Sequence, residues 1–201
     1  MKNGYSHARL SRMTGLAIIT ALVAVLTIFC TFVRFGPFSI TLALAPIVIT
    51  GAVYGPRAGA FMGGVFGLLV LLTGLLGWDG GTVLLLMSQN APGCMAICLI
   101  KGIAAGFLPA LLYALLSKKS VHAGVLAASI LCPLVNTGLF ILGMLVFFLP
   151  TLESWAGGAD LLYYVIVGLT GLNFLVELGA NLLLSSGVTA IVRYGRGSRG
   201  A

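Results

Sequence analysis

Asn173-Phe174-Leu175-Val176-Glu177-Leu178-Gly179-Ala180-Asn181 sits within an apolar run from Leu161 to Val192. On a helix, four-residue spacing stacks Asn173, Glu177 and Asn181 on one face, with Leu175, Val176, Leu178 and Leu182 lying off that stripe. At about 1.5 Å per residue such a run crosses a bilayer and leaves Glu177 roughly 20 Å from either end, in the hydrocarbon layer. A charge at that depth is costly without a partner, so the carboxyl group is expected to face the protein interior or a wet cavity, with protonation as the other way to avoid that cost.

The composition agrees with a membrane setting. Of 201 residues 60% are hydrophobic and 7% are charged, where soluble domains carry about a quarter charged, and the mean hydropathy is +1.15. The net charge of +7 does not point to nucleic acid, because the basic residues lie at the ends of apolar runs and form no patch with interleaved aromatics. Cys30, Cys94, Cys98 and Cys132 fall in or beside apolar runs. Cys94 and Cys98 share a helical face, yet no histidine or second cysteine pair accompanies them, so small core residues are expected, with no metal and no cofactor.

From the start of the chain, the apolar run over residues 14–33 is too long for a signal core and reads as a retained helix. Within it Ala17 and Ala21 form a small-xxx-small pair beside Ala24, for which internal helix packing is the plain explanation. Gly36 and Pro37 end that helix in the link from Arg34 to Ser39. A shorter run covers 40–54 and contains Pro46, expected to kink it. The run over 58–76 carries Gly59, Gly63 and Gly67 in one register with Gly55, a stripe suited to close helix packing. Residues 77–92 are more polar, with Val83 to Met87 expected at the interface or re-entering the bundle. Further runs cover 93–116, with Lys101 inside, 121–149, with Pro133 and Asn136, and 161–192. The expected fold is a single all-α membrane domain, a six-transmembrane-helix bundle.

Charge fixes the expected orientation. Lys2, Arg9, Arg12, Arg57, Lys118, Lys119, Arg193, Arg196 and Arg199 fall on one side of a six-span chain, and Asp79, Glu153 and Asp160 on the other with Arg34. By the positive-inside rule both termini are cytoplasmic.

The stretch from Phe35 through Pro46 to Ile49, followed by Tyr54-Gly55-Pro56-Arg57-Ala58-Gly59 and on to Gly67, resembles the substrate-binding S components of energy-coupling factor (ECF) vitamin transporters. Lys101-Gly102-Ile103-Ala104-Ala105-Gly106, Pro133-Leu134-Val135-Asn136-Thr137 and Asn173-Phe174-Leu175-Val176-Glu177 are similar to further stretches of that family. The resemblance implies a cell-membrane protein that binds a small water-soluble vitamin or nutrient from outside and is no enzyme. It also implies partners: a transmembrane coupling protein and a cytoplasmic ATPase pair. Ala17 and Ala21 match the family's Ala-xxx-Ala contact to the coupling protein. The chain has no Gly-x-x-x-x-Gly-Lys-Ser/Thr phosphate loop, in keeping with energy supplied elsewhere.

Polar residues expected to reach a substrate are Glu177, Asn173, Asn136 and Lys101 within the spans, and Arg34, Gln89, Asn90 and Trp78 in the outer links. Each has a structural alternative. Glu177 and Lys101 can pair with each other, Asn136 and Asn173 can serve hydrogen-bond clusters, and the link residues can be interfacial anchors. Asn181, deeper toward the cytoplasm, reads as structural. Two other function classes fit less well. An intramembrane enzyme lacks a Ser/His, paired-Asp or His-Glu constellation in the spans. A self-sufficient secondary carrier would show corresponding broken helices in its two halves, and Pro46 and Pro133 do not correspond.

Overall fold

The computed structural model describes residues 2–35 and 38–197, and the expected turn at Gly36 and Pro37, like Arg199, lies outside them. Helix α1 spans Lys2–Thr31. A two-residue antiparallel ribbon follows, β1 (Arg34–Phe35) and β2 (Phe38–Ser39), pairing Arg34 with Ser39 and Phe35 with Phe38. Next come α2 (Leu44–Tyr54), α3 (Pro56–Leu75), α4 (Thr82–Leu116) and α5 (Val121–Phe147). A short α6 (Leu149–Ala156) and a single turn α7 (Leu161–Tyr163) lead through a π-helical stretch, Tyr164–Leu169, into α8 (Gly171–Gly197).

Five helical segments among the described residues are long and apolar enough to cross a membrane: 10–31, 56–75, 82–116, 121–147 and 161–194. The second apolar run is different. Expected as a helix over 40–54, it is helical only from Leu44, and its 11 residues rise about 16 Å, short of a hydrocarbon layer about 30 Å thick. Pro46 sits in the first turn of α2, where its missing N–H has no intrahelical acceptor to lose. The expected kink is therefore absent, and the proline marks a helix start.

Residues 77–92 also differ from expectation. Asp79 accepts from the Gly81 backbone N–H at 3.0 Å and the Val83 N–H at 2.8 Å, and that capping starts a helix at Thr82. The helix is broken at Asn90 (φ −152°, ψ 85°). There the Asn90 Oδ1 accepts from the Gly93 N–H at 3.0 Å, so Asn90 caps a second segment in which Pro92 occupies the first turn. The expected short segment over Val83–Met87 and the expected run from Gly93 are thus two helical pieces joined at one capped residue.

The glycine stripe does what its spacing implies. A Cβ on Gly59 or Gly63 would overlap the carbonyl oxygen of Gly106 or Gly102, one on Gly67 would overlap that of Cys98, and Gly102 and Gly106 are equally constrained by Gly63 and Gly59. Only hydrogen at these positions lets α3 and α4 meet backbone to backbone. A second interlock joins α4 to α5. Pro109 lies inside α4 and offers no N–H to the Ala105 carbonyl four residues earlier. The buried Cys132 thiol donates to that carbonyl at 3.2 Å, so a carbonyl freed by proline finds its partner on the neighbouring helix.

Two apolar clusters organise the interior. One gathers Val23, Leu44, Ile47, Met62, Phe66, Ala105, Cys132 and Val192. The other gathers Leu71, Val83, Leu86, Ile97, Met144, Phe148 and Leu152. The periphery is apolar as well, with Phe29, Phe61, Leu142, Val146 and Leu183 all well exposed. In water such a surface would drive aggregation, and in a bilayer it is the face that meets lipid.

Candidate substrate-binding site

Helix α8 carries a buried polar stripe through an otherwise apolar span. Asn173, Glu177, Asn181, Ser185 and Thr189 follow one another at four-residue spacing, and all are buried. Its lower members bond locally or to a neighbour, although Asn181 Oδ1 is buried without a hydrogen-bond partner. Asn181 Nδ2 donates to the Glu177 backbone carbonyl at 2.9 Å, Ser185 Oγ to that of Leu182 at 2.7 Å, and Thr189 Oγ1 to that of Ser185 at 2.8 Å while lying 3.4 Å from His122 Nδ1 on α5. The upper members, Asn173 and Glu177, instead line a cavity of about 110 Å³.

That cavity lies between the two apolar clusters, taking Phe66 from one and Val83, Leu86 and Ile97 from the other. Three helices bring the polar groups to it. Helix α4 presents Cys94, Cys98 and Lys101 along one stripe, α5 presents Asn136, Thr137 and Phe140, and α8 presents Asn173 and Glu177. The extended segment ahead of α2 closes one side with Ile40 and Thr41.

Glu177 is 4% exposed. Its Oε1 accepts the Thr41 backbone N–H at 2.9 Å across 136 residues of sequence, while Oε2 is buried with no hydrogen-bond partner in the protein. The Asn136 side chain lies beside this carboxyl group, and its Oδ1 is likewise buried without a partner. Lys101 does not form an ion pair with Glu177. Its Nζ instead stands 5.0 Å from the centroid of the Phe140 ring, a cation–π contact that steadies the ammonium without consuming its three donors. The structural alternative of a Glu177–Lys101 pair is therefore not what the fold adopts.

Several lining residues were not singled out from the sequence. Thr27 and Thr31 of α1, Thr73 of α3 and Thr170 line the cavity, each donating its hydroxyl hydrogen back to a carbonyl of its own helical turn, at 2.7–2.9 Å. This common arrangement hides the hydroxyl as a donor and leaves lone pairs and a methyl group toward the space. Asp79 also lines the cavity, with both carboxylate oxygens engaged in the cap of α4.

The family model described as ECF transporter, substrate-specific component, matches residues 11–189. The chain belongs to this family. Among curated proteins none matches it. ECF S components are membrane-embedded, bind a small-molecule substrate and associate with an ECF module of ATPase and T components. In this S component the four residues expected inside the spans, Glu177, Asn173, Asn136 and Lys101, converge on the one cavity. Of the four expected in outer links, Gln89, Asn90 and Trp78 do not line it. Gln89 is hydrogen-bonded with the Thr151 hydroxyl, Asn90 caps the second half of α4, and Trp78 packs on Phe32 with ring centroids 5.9 Å apart and a 31° tilt. Arg34 belongs to β1, and its side chain lies outside what the structure describes. Ala17 and Ala21 are exposed on α1, so internal packing does not account for the pair.

Proposed function

We propose that this S component binds a small water-soluble vitamin or related nutrient with high affinity in the cavity between α1, α4, α5 and α8, with Glu177, Asn173, Asn136 and Lys101 as its polar contacts. One observation carries the reading: the Glu177 carboxylate is buried against a cavity with one oxygen fixed by Thr41 and the other unpartnered. A buried carboxylate oxygen left so costs several kcal/mol in hydrocarbon surroundings unless a bound donor satisfies it.

Orientation follows from charge. Arg12 Nη2 donates to the Tyr54 carbonyl at 3.3 Å, which puts the basic start of α1 at the end where α2 meets Arg57. Thr189 beside His122 puts the basic end of α8 with the Lys118–Lys119 link at that same end. By the positive-inside rule this end, with both termini, is cytoplasmic. The extended segment 40–43 and α2 together make the sixth crossing, and the cavity, lined by Asp79 and Thr31, lies in the outer half.

The exposed Ala17/Ala21 face is the docking surface for the transmembrane coupling protein, whose ATPase pair supplies the energy. Replacing both alanines with Trp should abolish co-purification with that module and uptake in cells, while leaving small-molecule binding by the isolated S component unchanged. Intact co-purification would remove the docking assignment. The substrate reading is tested by mass spectrometry of small molecules released from gently purified protein. A compound whose retention falls at least about tenfold in Glu177→Gln, the loss expected for one charge-assisted hydrogen bond, is the expected result.

A further inference from the structure

The cavity presents two kinds of polar group, complementary to different ligand groups. Glu177 Oε2 and Asn136 Oδ1 line it as acceptors, both buried and both without a hydrogen-bond partner in the protein, with the Asn136 side chain beside the Glu177 carboxyl group. Lys101 lines the same cavity from a different helix, forms no ion pair with Glu177, and holds its ammonium over the Phe140 ring. The remaining charged group on the wall, Asp79, has both oxygens committed to backbone N–H groups. Apart from Asn173, the rest of the wall is mainly hydrocarbon, with the hydroxyl hydrogens of Thr27, Thr31 and Thr73 turned back onto their own helices.

We propose that the ligand is a small zwitterionic or similarly bipolar molecule, with a cationic, N–H-bearing head placed against Glu177 and Asn136, an apolar body, and a carboxylate or comparable anionic group placed against Lys101. This rests on the cavity being the substrate site of the S component. The reason is charge balance in a medium of low dielectric constant. The cavity holds a carboxyl group with one oxygen unpartnered and an ammonium that is not ion-paired with it. A purely anionic ligand would satisfy Lys101 and leave Glu177 facing either an apolar body or a like charge, and a purely cationic one would do the reverse. A bipolar ligand laid the right way round gives each end a charge-assisted hydrogen bond and brings no net charge into the membrane interior.

The test uses the full chain in detergent and three probes built on one ring: 4-(aminomethyl)benzoate, which is zwitterionic, and its two halves, 4-methylbenzylamine and 4-methylbenzoate. Titration calorimetry should show the zwitterion binding at least about tenfold more tightly than either half. Glu177→Gln should bring the zwitterion down to the level of 4-methylbenzoate, and Lys101→Met should bring it down to that of 4-methylbenzylamine. Equal or absent binding of the three probes overturns the proposal, as does a preference for 4-methylbenzoate alone. If Glu177→Gln does not yield folded protein, the Lys101→Met arm decides by the same comparison.

The compound released from gently purified protein separates this proposal from the one it rests on. A released compound without a basic nitrogen, whose retention still falls in Lys101→Met, overturns the bipolar class and leaves the site standing. One retained equally by wild type, Glu177→Gln and Lys101→Met overturns both.

Discussion

The α3–α4 seam and the cavity beside it are built on the same helix, α4, with opposite uses of small space. Along one face of α4, Gly102 and Gly106 admit nothing larger than hydrogen because the carbonyls of Gly63 and Gly59 stand against them. Along another face, Cys94, Cys98 and Lys101 stand back from α5 and α8 and leave a cavity. The lesson is that a membrane bundle, lacking a hydrophobic force between helices, secures itself by close packing in one place. That leaves it able to tolerate unfilled, polar-lined space in another.

The largest effect should come from breaking the seam. Gly63→Leu cannot be accommodated without driving α3 from α4, because the obstacle is backbone and not a flexible side chain. A loss of about 3 kcal/mol or more is expected, read as failure to recover folded protein or as a large drop in thermal stability in detergent. Normal stability would show that the seam is not what holds the bundle.

A middle effect is expected at the cavity. Glu177→Leu removes the acceptor of the Thr41 N–H and should cost about 1–3 kcal/mol of stability, the cost of a buried donor left unsatisfied. Glu177→Gln keeps an acceptor oxygen there and should stay near wild type in thermal melts while losing affinity. If Gln and Leu destabilise equally, the Thr41 contact contributes nothing.

The smallest effect tests the boundary between the two regions. Asn90→Ala deletes the cap inside α4 and should lower stability by about 1 kcal/mol with ligand affinity unchanged, since Asn90 caps Gly93 and does not line the cavity. A selective loss of affinity at constant stability would return Asn90 to the binding site.

What the sequence made legible follows from periodicity. The helix-crossing runs, the glycine register of 59, 63 and 67, and the convergence of Asn136, Asn173, Glu177 and Lys101 all depend on side chains at helical spacing, and spacing is written in the letters. The stripe on α8 extends beyond Asn181, with Ser185 and Thr189 continuing it at the same interval. The links were harder. Gln89, Asn90 and Trp78 are polar or amphipathic residues in the more polar stretch over 77–92, which suits substrate contact and helix capping equally, and only the path of the backbone decides. Pro46 shows the same limit, since a proline marks a helix start or a kink according to where the helix begins. The Thr41 contact left no trace at all, because the donor is a backbone N–H and any residue except proline would supply it.

That contact has a consequence for the order in which the chain is made. Thr41 emerges from the ribosome long before Glu177, and with a sequence separation of 136 residues at about 5–20 residues per second, the donor waits on the order of 10 s for its acceptor. During that interval the first helices can enter the membrane and α3 can close against α4, since both are complete by Leu116. The cavity with its Glu177 wall cannot exist yet. A cavity completed by α8 forms only once the chain has been made past Glu177, and a chain cut short before Glu177 would lodge in the membrane without it.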